Sequence, residues 1–291
     1  MTAQIISGKQ IAENLIENSL KPRVAKLNAQ GIQPKLVVIL VGNHSASASY
    51  VRQKEKFATK AGILSEVRRY EDTISEAEIL DEIKQINADD SIHGVIVQLP
   101  LPDHISVTKV LQTIAPAKDV DGFTPENIGK LFLGEPCLQC CTPKGIITMI
   151  EDTIGDMTGK NICVIGRSNI VGKPVAALAL NKRATVTVCH SKTKDIKAKM
   201  ADADIIIVAV GRPEMFTGDD FPKGAVIIDV GIHRKDAPDT ERGWKLCGDV
   251  EFESAKNKVA AISPVPGGVG PMTVASLIEN TVEAAETLAN N

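Results

Sequence analysis

The sequence lacks a strong charge of either sign, a long apolar run, paired cysteine motifs and repeats. Net charge is -3 over 291 residues. That argues against nucleic-acid binding driven by bulk charge and leaves only a local basic patch open. No apolar run approaches the roughly 20 residues that cross a bilayer; LVVILV and DIIIVAV have the length of buried strands. MTAQIISGKQ has no basic stretch followed by an apolar core, so no secretory signal is expected there. A cytoplasmic protein with no membrane partner is the expectation. The six cysteines do not suggest a disulfide framework in a chain this long. Cys137, Cys140 and Cys141 cluster, but no second CxxC or paired HxxxH completes a site, and the five histidines are scattered. No metal is therefore expected. Low-complexity segments and short solenoid repeats are missing as well.

What remains is an ordinary globular balance, 43% apolar and 24% charged, in a chain long enough for about two domains. Helix and strand patterns alternate. SGKQIAENLIENSLKPRVAKLNAQG opens with a capping box from Ser7 to Gln10 and stops near Gly31. LVVILVG follows as a continuous apolar strand, then a helix ending at Gly62. SEAEILDEIKQINAD reads as an amphipathic helix and GVIVQLPLP as a second buried strand. Continuous apolar strands separated by helices imply a parallel sheet covered on both faces. After Thr142 the pattern restarts: TPKGIITMIEDT and PVAALALNKR as helices, NICVIG, ATVTVCH, ADIIIVAVG and AVIIDVG as strands. The last segment carries a helical stripe through positions 274, 277, 278, 281, 285 and 288. The expected fold class is α/β.

The second unit resembles a dinucleotide site that lacks two usual features. The turn after its first strand, GRSNIVGKP, is not GxGxxG; Gly166 and Gly172 have five residues between them. Pro174 suits a first helical position. A turn of this kind aims backbone N–H groups and a helix N-terminus at a phosphate, although an ordinary strand-to-helix loop would read the same way. The second missing feature is the acid that NAD sites place about 20 residues on. CHSKTK stands there, with no acid until Asp195. A carboxylate would repel a 2′-phosphate, while Ser191, Lys192 and the Arg167 guanidinium would accept it. NADP rather than NAD is the expected cofactor.

Aromatics are also scarce, at 3% with two tyrosines, which singles out YVRQK. If this stretch is helical, Tyr50, Val51, Phe57, Ala58 and Ala61 form one apolar stripe with Lys54 at its centre, while Arg52, Lys56 and Lys60 lie opposite. Lys54 is either a snorkelling side chain or a poorly solvated lysine with a lowered pKa that serves as base or donor; its central position favours the second. Tyr50 could offer its ring to a flat heterocycle. The YxxxK pair of short-chain dehydrogenases does not fit, because there the cofactor turn precedes the motif. Gln98 ends a buried strand, where ligands of open α/β sheets bind. KDVDGF places Asp119 and Asp121 before a glycine turn, and Asx-turn capping explains only one of them. SPVPGGVGPMT, rich in proline and glycine, is a rigid loop that lets a ligand approach the backbone, or else a linker between domains.

Together, YVRQK, GVIVQLPLP, KDVDGF, GRSNIVGKP and PVPGGVGPMTVASLIENT resemble the bifunctional methylenetetrahydrofolate dehydrogenase–cyclohydrolase family, in that family's order and over nearly the whole chain. The resemblance implies two α/β domains with a cleft between them: a folate domain over 1–140 completed by a C-terminal helix at 272–291, and a Rossmann-like dinucleotide-binding domain over 141–271. It also implies a homodimer. By resemblance Lys54 is the key catalytic residue, Gln98 tunes it, Tyr50 stacks beside the folate and Asp121 binds the pterin edge. Val97, Leu99, Pro264 and Gly268 would line the folate site. Gly166, Arg167, Ser168, Ser191 and Ile232 match cofactor positions. Retention of Lys54 implies both activities. Alternatives are a dehydrogenase alone, or a folate- or nucleotide-binding protein without turnover. The polar stretch 233–245, which holds the only tryptophan, Trp244, resembles an insertion.

Overall fold

The computed structural model describes residues 2–42 and 45–289, and the side chains of all of these except 45–50. In chain order the elements are β1 (Gln4–Ile5), α1 (Gly8–Leu15), α2 (Lys21–Ala29), β2 (Lys35–Val41), α3 (Ser45–Ala61), β3 (Leu64–Tyr70), α4 (Glu76–Ala88), β4 (Gly94–Val97), α5 (Val107–Thr113) and α6 (Pro125–Leu133). There follow α7 (Cys141–Ile154), β5 (Asn161–Ile165), α8 (Gly172–Asn181), β6 (Thr185–Cys189), α9 (Ile196–Met200), β7 (Ile205–Val208), β8 (Val226–Asp229), β9 (His233–Asp236), β10 (Trp244–Cys247), α10 (Phe252–Ala255), β11 (Ala261–Ile262) and α11 (Val269–Ala289). They form two compact units. One takes the chain up to Ala12 and Thr142–Thr273; the other takes Glu13–Cys141 and the chain from Val274 on.

In the second of these, a parallel sheet of order β3-β2-β4 is built around β2. Successive side chains of a strand point to opposite faces, and β2 divides its residues accordingly. Leu36, Val38 and Leu40 join a core with Ile16, Leu20, Val24, Val51, Ala58, Leu277, Ile278 and Val282. Val37, Ile39 and Val41 join another with Ile79, Ile83, Ile86 and Val110. Both faces are covered, so β2 reads as an unbroken apolar run. β3 lies at the sheet edge and alternates polar residues, which is why an apolar-run criterion passes over LSEVRRY. The helix expected from Ser7 to Gly31 is interrupted by a π turn at Ile16–Leu20, where Lys21 N–H donates to the Ile16 carbonyl. Pro22, next in the chain, has no N–H to continue the regular ladder.

The other unit is a six-stranded parallel sheet of order β1-β11-β8-β7-β5-β6. From β5 the chain builds outward through β6 on one side and β7, β8 and β11 on the other, a doubly wound topology whose ligands bind beyond the carboxyl ends of the strands. Residues 2–12 lie in this unit, whereas the sequence placed them with the folate domain. The reason is β1, whose two residues pair in parallel with β11, Gln4 with Ala261 and Ile5 with Ile262. The stretch 233–245 is an antiparallel hairpin of β9 and β10, with Arg234 stacked 4.6 Å above the Trp244 ring. Among the described residues no helix is long and apolar enough to cross a membrane.

Candidate functional site

In the β2 unit, α3 turns Val51, Ala58 and Ala61 into the core. Lys54, on the same stripe, is half-buried, and Arg52 and Lys56 on the other side are exposed. The Tyr50 side chain lies outside the described residues. Lys54 Nζ donates to Gln98 Oε1 at 2.9 Å. Gln98 follows β4, and its backbone N–H donates to the Ile39 carbonyl at 2.9 Å. Its side-chain NH2 is committed to the Leu99 carbonyl, also at 2.9 Å, so only the amide oxygen faces the lysine. Burial pushes the Lys54 pKa down, opposed by the Asp121 carboxylate and the Cys141 thiol. Burial pushes Asp121 up; Lys54 opposes this and Asp119 adds to it. Val97 is buried in the core beside α4 and has only its backbone to offer, whereas Leu99 is 38% exposed.

The two aspartates of KDVDGF have separate tasks. Asp119 is buried and accepts from Gly122 N–H at 3.1 Å, Thr124 N–H at 2.7 Å and Asn127 Nδ2 at 3.0 Å. It closes the turn and leaves Asp121 free of that task. Asp119→Ala should therefore lower unfolding free energy by about 2–4 kcal/mol, since it strands several buried donors. Chemical denaturation reads this directly, and an unchanged midpoint would overturn the assignment.

Asn280 on α11 escaped the sequence reading. It is fully buried, and Nδ2 donates to the carbonyls of Val120 at 2.9 Å and Gln139 at 2.7 Å. The helix thus pins the backbone just before Asp121 and two residues before Cys141. An asparagine on the buried stripe of an apolar helix was the available signal. Lys118 also escaped; it is buried, and Nζ donates to the Ile86 and Asp89 carbonyls at the end of α4. The Cys140 and Cys141 thiols donate to the Gly122 and Val120 carbonyls.

In the six-stranded unit, Gly166 sits at φ +138°, and a Cβ there would lie 2.3 Å from the Ala209 carbonyl oxygen. A Cβ on Gly172 would lie 2.2 Å from the Gly166 carbonyl oxygen. Both glycines are therefore obligatory in this turn. Ser168 Oγ accepts from Val171 and Gly172 N–H at 3.1 and 3.3 Å, which shapes the entry into α8. Gly166 N–H donates to the Cys189 carbonyl at 2.9 Å, so the turn lies beside the end of β6, where Ser191 and Lys192 are exposed, as Arg167 is. Asp195 caps α9, its carboxylate accepting from Ala198 N–H at 3.0 Å. Ile232, beyond β8, is 50% exposed.

Pro264 and Gly268 belong to this unit as well. The glycines of their loop meet the chain's own backbone. A Cβ on Gly8 would lie 1.9 Å from the Gly268 carbonyl oxygen, and Lys9 N–H donates to the Gly267 carbonyl at 3.0 Å.

Two family models match the chain. The tetrahydrofolate dehydrogenase/cyclohydrolase catalytic domain matches residues 6–121, and the NAD(P)-binding domain of the same name matches residues 140–289. The chain belongs to the tetrahydrofolate dehydrogenase/cyclohydrolase family. Within that family, the bifunctional protein FolD of Moorella thermoacetica is 52% identical over 285 residues, 98% of this chain and 99% of that one. The crystal structure of the FolD methylenetetrahydrofolate dehydrogenase/cyclohydrolase of Campylobacter jejuni superposes with a TM-score of 0.92 at 44% identity, covering 98% and 99% of the two chains. The FolD structure of Trypanosoma brucei, complexed with NADP cofactor and an inhibitor, gives 0.93 at 34% identity over 100% of both chains.

Proposed function

We infer that the protein is a bifunctional enzyme of one-carbon folate interconversion. It oxidises 5,10-methylenetetrahydrofolate to the 5,10-methenyl cation with NADP, then hydrolyses the cation to 10-formyltetrahydrofolate. The family match along both halves of the chain carries this reading.

The nucleotide unit suits NADP by its own chemistry. Gly166 and Gly172 are demanded by the close backbone packing of the turn, Arg167 and Ser191 are exposed beside it, and the first acid after β6 is committed to a helix cap. When bound, NADP supplies the hydride acceptor. Arg167 and Ser191 would hold the 2′-phosphate, the turn of Gly166 and Ser168 would take the remaining phosphates, and Ile232 would contribute an apolar contact. Charge-assisted hydrogen bonds are worth about 1.5–3 kcal/mol. Arg167→Ala with Ser191→Ala should therefore cut the NADP-over-NAD preference by roughly 10- to 100-fold. A preference left intact in kcat/KM would overturn both roles.

In the β2 unit Lys54 is the general base of ring opening. The methenyl substrate is a cation, and a like charge beside Lys54 adds to burial in disfavouring its protonated form. Both effects favour the neutral lysine beside that cation. One N–H stays on Gln98, and the lone pair takes a proton from the water that adds to the methenyl carbon. In the collapse of the adduct its hydroxyl proton passes to N5 as the C–N5 bond breaks, which leaves the formyl group on N10; the proton on Lys54 is the one released to solvent. Asp121 accepts paired N–H bonds from the pterin edge, Tyr50 stacks on the ring, and Val97 and Leu99 complete the folate contacts of this unit.

The deciding experiment mixes the protein with 5,10-methylenetetrahydrofolate and NADP or NAD, and follows reduced cofactor and methenyl product together by absorbance. NADPH without lasting methenyl product supports both activities. Methenyl accumulation would leave a dehydrogenase alone, and no reduction with either cofactor would leave a binding protein.

Two further features belong to this reading. A homodimer is supported by β3, the edge strand of a three-stranded sheet, since an unpaired edge invites pairing; sedimentation at micromolar protein tests it. A cytoplasmic location is supported by six unbridged cysteines, with Cys163 Sγ and Cys189 Sγ 3.9 Å apart, as befits a reducing compartment. Cell fractionation tests that.

A further inference from the structure

Asp249 is fully buried, yet no role in the chemistry above falls to it. Its carboxylate is met by four donors. Oδ2 accepts from Val210 N–H at 2.7 Å and Gly211 N–H at 3.0 Å; Oδ1 accepts from Arg212 N–H at 2.8 Å and from His233 Nε2 at 2.7 Å. A carboxylate is costly to bury unless so satisfied. The three backbone donors are consecutive and continue neither a strand nor a helix, so this one side chain sets the path of the chain as it leaves β7.

That path matters because of where it lies. β5 and β7 are parallel neighbours with Ile165 opposite Val208, and Ala209 N–H donates to the Ile165 carbonyl at 2.8 Å. The Ala209 carbonyl is the group that forbids a Cβ on Gly166. Residues 210–212 are therefore the next stretch of chain beyond the cofactor turn, and Gly211, Arg212 and Pro213 are exposed. The neighbouring segment, 231–233, is held by the same acidic pair. Gly231 N–H donates to Asp229 Oδ1 at 3.0 Å, His233 reaches Asp249, and Asp249 N–H donates to Asp229 Oδ1 at 2.9 Å. Ile232 is clamped between the two. Glycines at 231 and 248 permit this packing: a Cβ on Gly231 would lie 2.4 Å from Asp249 Oδ1, and one on Gly248 would lie 1.8 Å from Asp229 Oδ2.

We propose that Asp249, with His233 as its side-chain partner, is a positioning residue for cofactor binding, fixing segments 210–212 and 231–233 in advance as one wall of the NADP site. This rests on the dehydrogenase reading above. Preorganisation of this kind lowers the ordering cost of binding. Its loss should appear in affinity rather than in the chemical step.

The test compares wild type with Asp249→Asn, His233→Leu and His233→Gln. Asparagine offers one acceptor oxygen where two are used, leucine removes the side-chain donor, and glutamine keeps an N–H donor of similar reach. NADP binding is measured by calorimetry, and KM and kcat for the dehydrogenase alongside. Cyclohydrolase activity is assayed on methenyltetrahydrofolate without NADP. Expected are a rise in NADP Kd and KM on the order of ten-fold in His233→Leu and Asp249→Asn, little change in kcat or ring opening, and recovery in His233→Gln. Unchanged NADP affinity in folded His233→Leu would overturn the proposal. So would parallel loss of both activities and of thermal stability in His233→Leu, which would mark a merely structural contact. Wild-type protein that binds no NADP would instead sink the dehydrogenase reading itself.

Discussion

Lys54→Met should abolish ring opening while leaving hydride transfer measurable. Methionine keeps the length and apolar stem of lysine, so α3 and its buried stripe are undisturbed, and only the nitrogen is lost. General-base assistance contributes about 10²–10⁴-fold, and a loss of that size is expected in cyclohydrolase kcat. Dehydrogenation needs no proton from water and should accumulate methenyl product in the variant. The pH dependence supplies an independent check. Burial pushes the Lys54 pKa below the ordinary lysine range, and the neutral form is the active one. Ring opening should therefore rise as pH climbs through that lowered pKa and fall below it. Gln98→Glu replaces a neutral acceptor with a carboxylate 2.9 Å from Nζ. It should raise the Lys54 pKa and carry the whole limb to higher pH. Normal ring opening in Lys54→Met, or a limb that moves to lower pH in Gln98→Glu, would sink the role.

The route from sequence to site succeeded where side-chain periodicity and local turn chemistry determine the outcome. Helical phase alone separated the buried Val51, Ala58 and Ala61 from the exposed Arg52 and Lys56 and raised the question of Lys54. The two α/β domains followed from unbroken apolar strands, because a central parallel strand such as β2 is covered on both faces. The family followed from five ordered motifs.

What stayed hidden depends on contacts distant in sequence. β3 alternates because it is an edge strand. β1 is two residues long, and its partner lies more than 250 residues away; no local pattern assigns it to a unit. Asp119 and Asp121 look equivalent in KDVDGF until Gly122, Thr124 and Asn127 fold back onto the first of them. Asn280 and Asp249 are single polar residues whose carbonyl or N–H partners come from remote turns. The glycines of SPVPGGVGPMT suggested room for a ligand, but Gly8 had to be seen against Gly268 before the loop's own packing became visible.

Asp121→Asn should weaken folate in both reactions. The carboxylate offers two acceptor oxygens for paired N–H donors of the pterin edge, while asparagine offers one acceptor and turns a donor toward the ligand. Losing charge-assisted hydrogen bonds to the carboxylate costs about 1.5–3 kcal/mol, roughly 10- to 150-fold in affinity. The same loss should appear in the dehydrogenase and cyclohydrolase KM, because one folate is held for both. The substitution has a second, electrostatic consequence. Asp121 opposes the downward shift of Lys54. Without that carboxylate the Lys54 pKa falls further, and the acid limb of ring opening moves to lower pH at saturating folate. Folding is expected to survive, since the buried donors of this turn are satisfied by Asp119. The outcome therefore separates three possibilities. Weaker folate with a limb shifted to lower pH supports a ligand-binding carboxylate coupled to the lysine. Weaker folate with an unmoved limb would break that coupling. Unchanged folate affinity in both reactions would remove Asp121 from the site altogether.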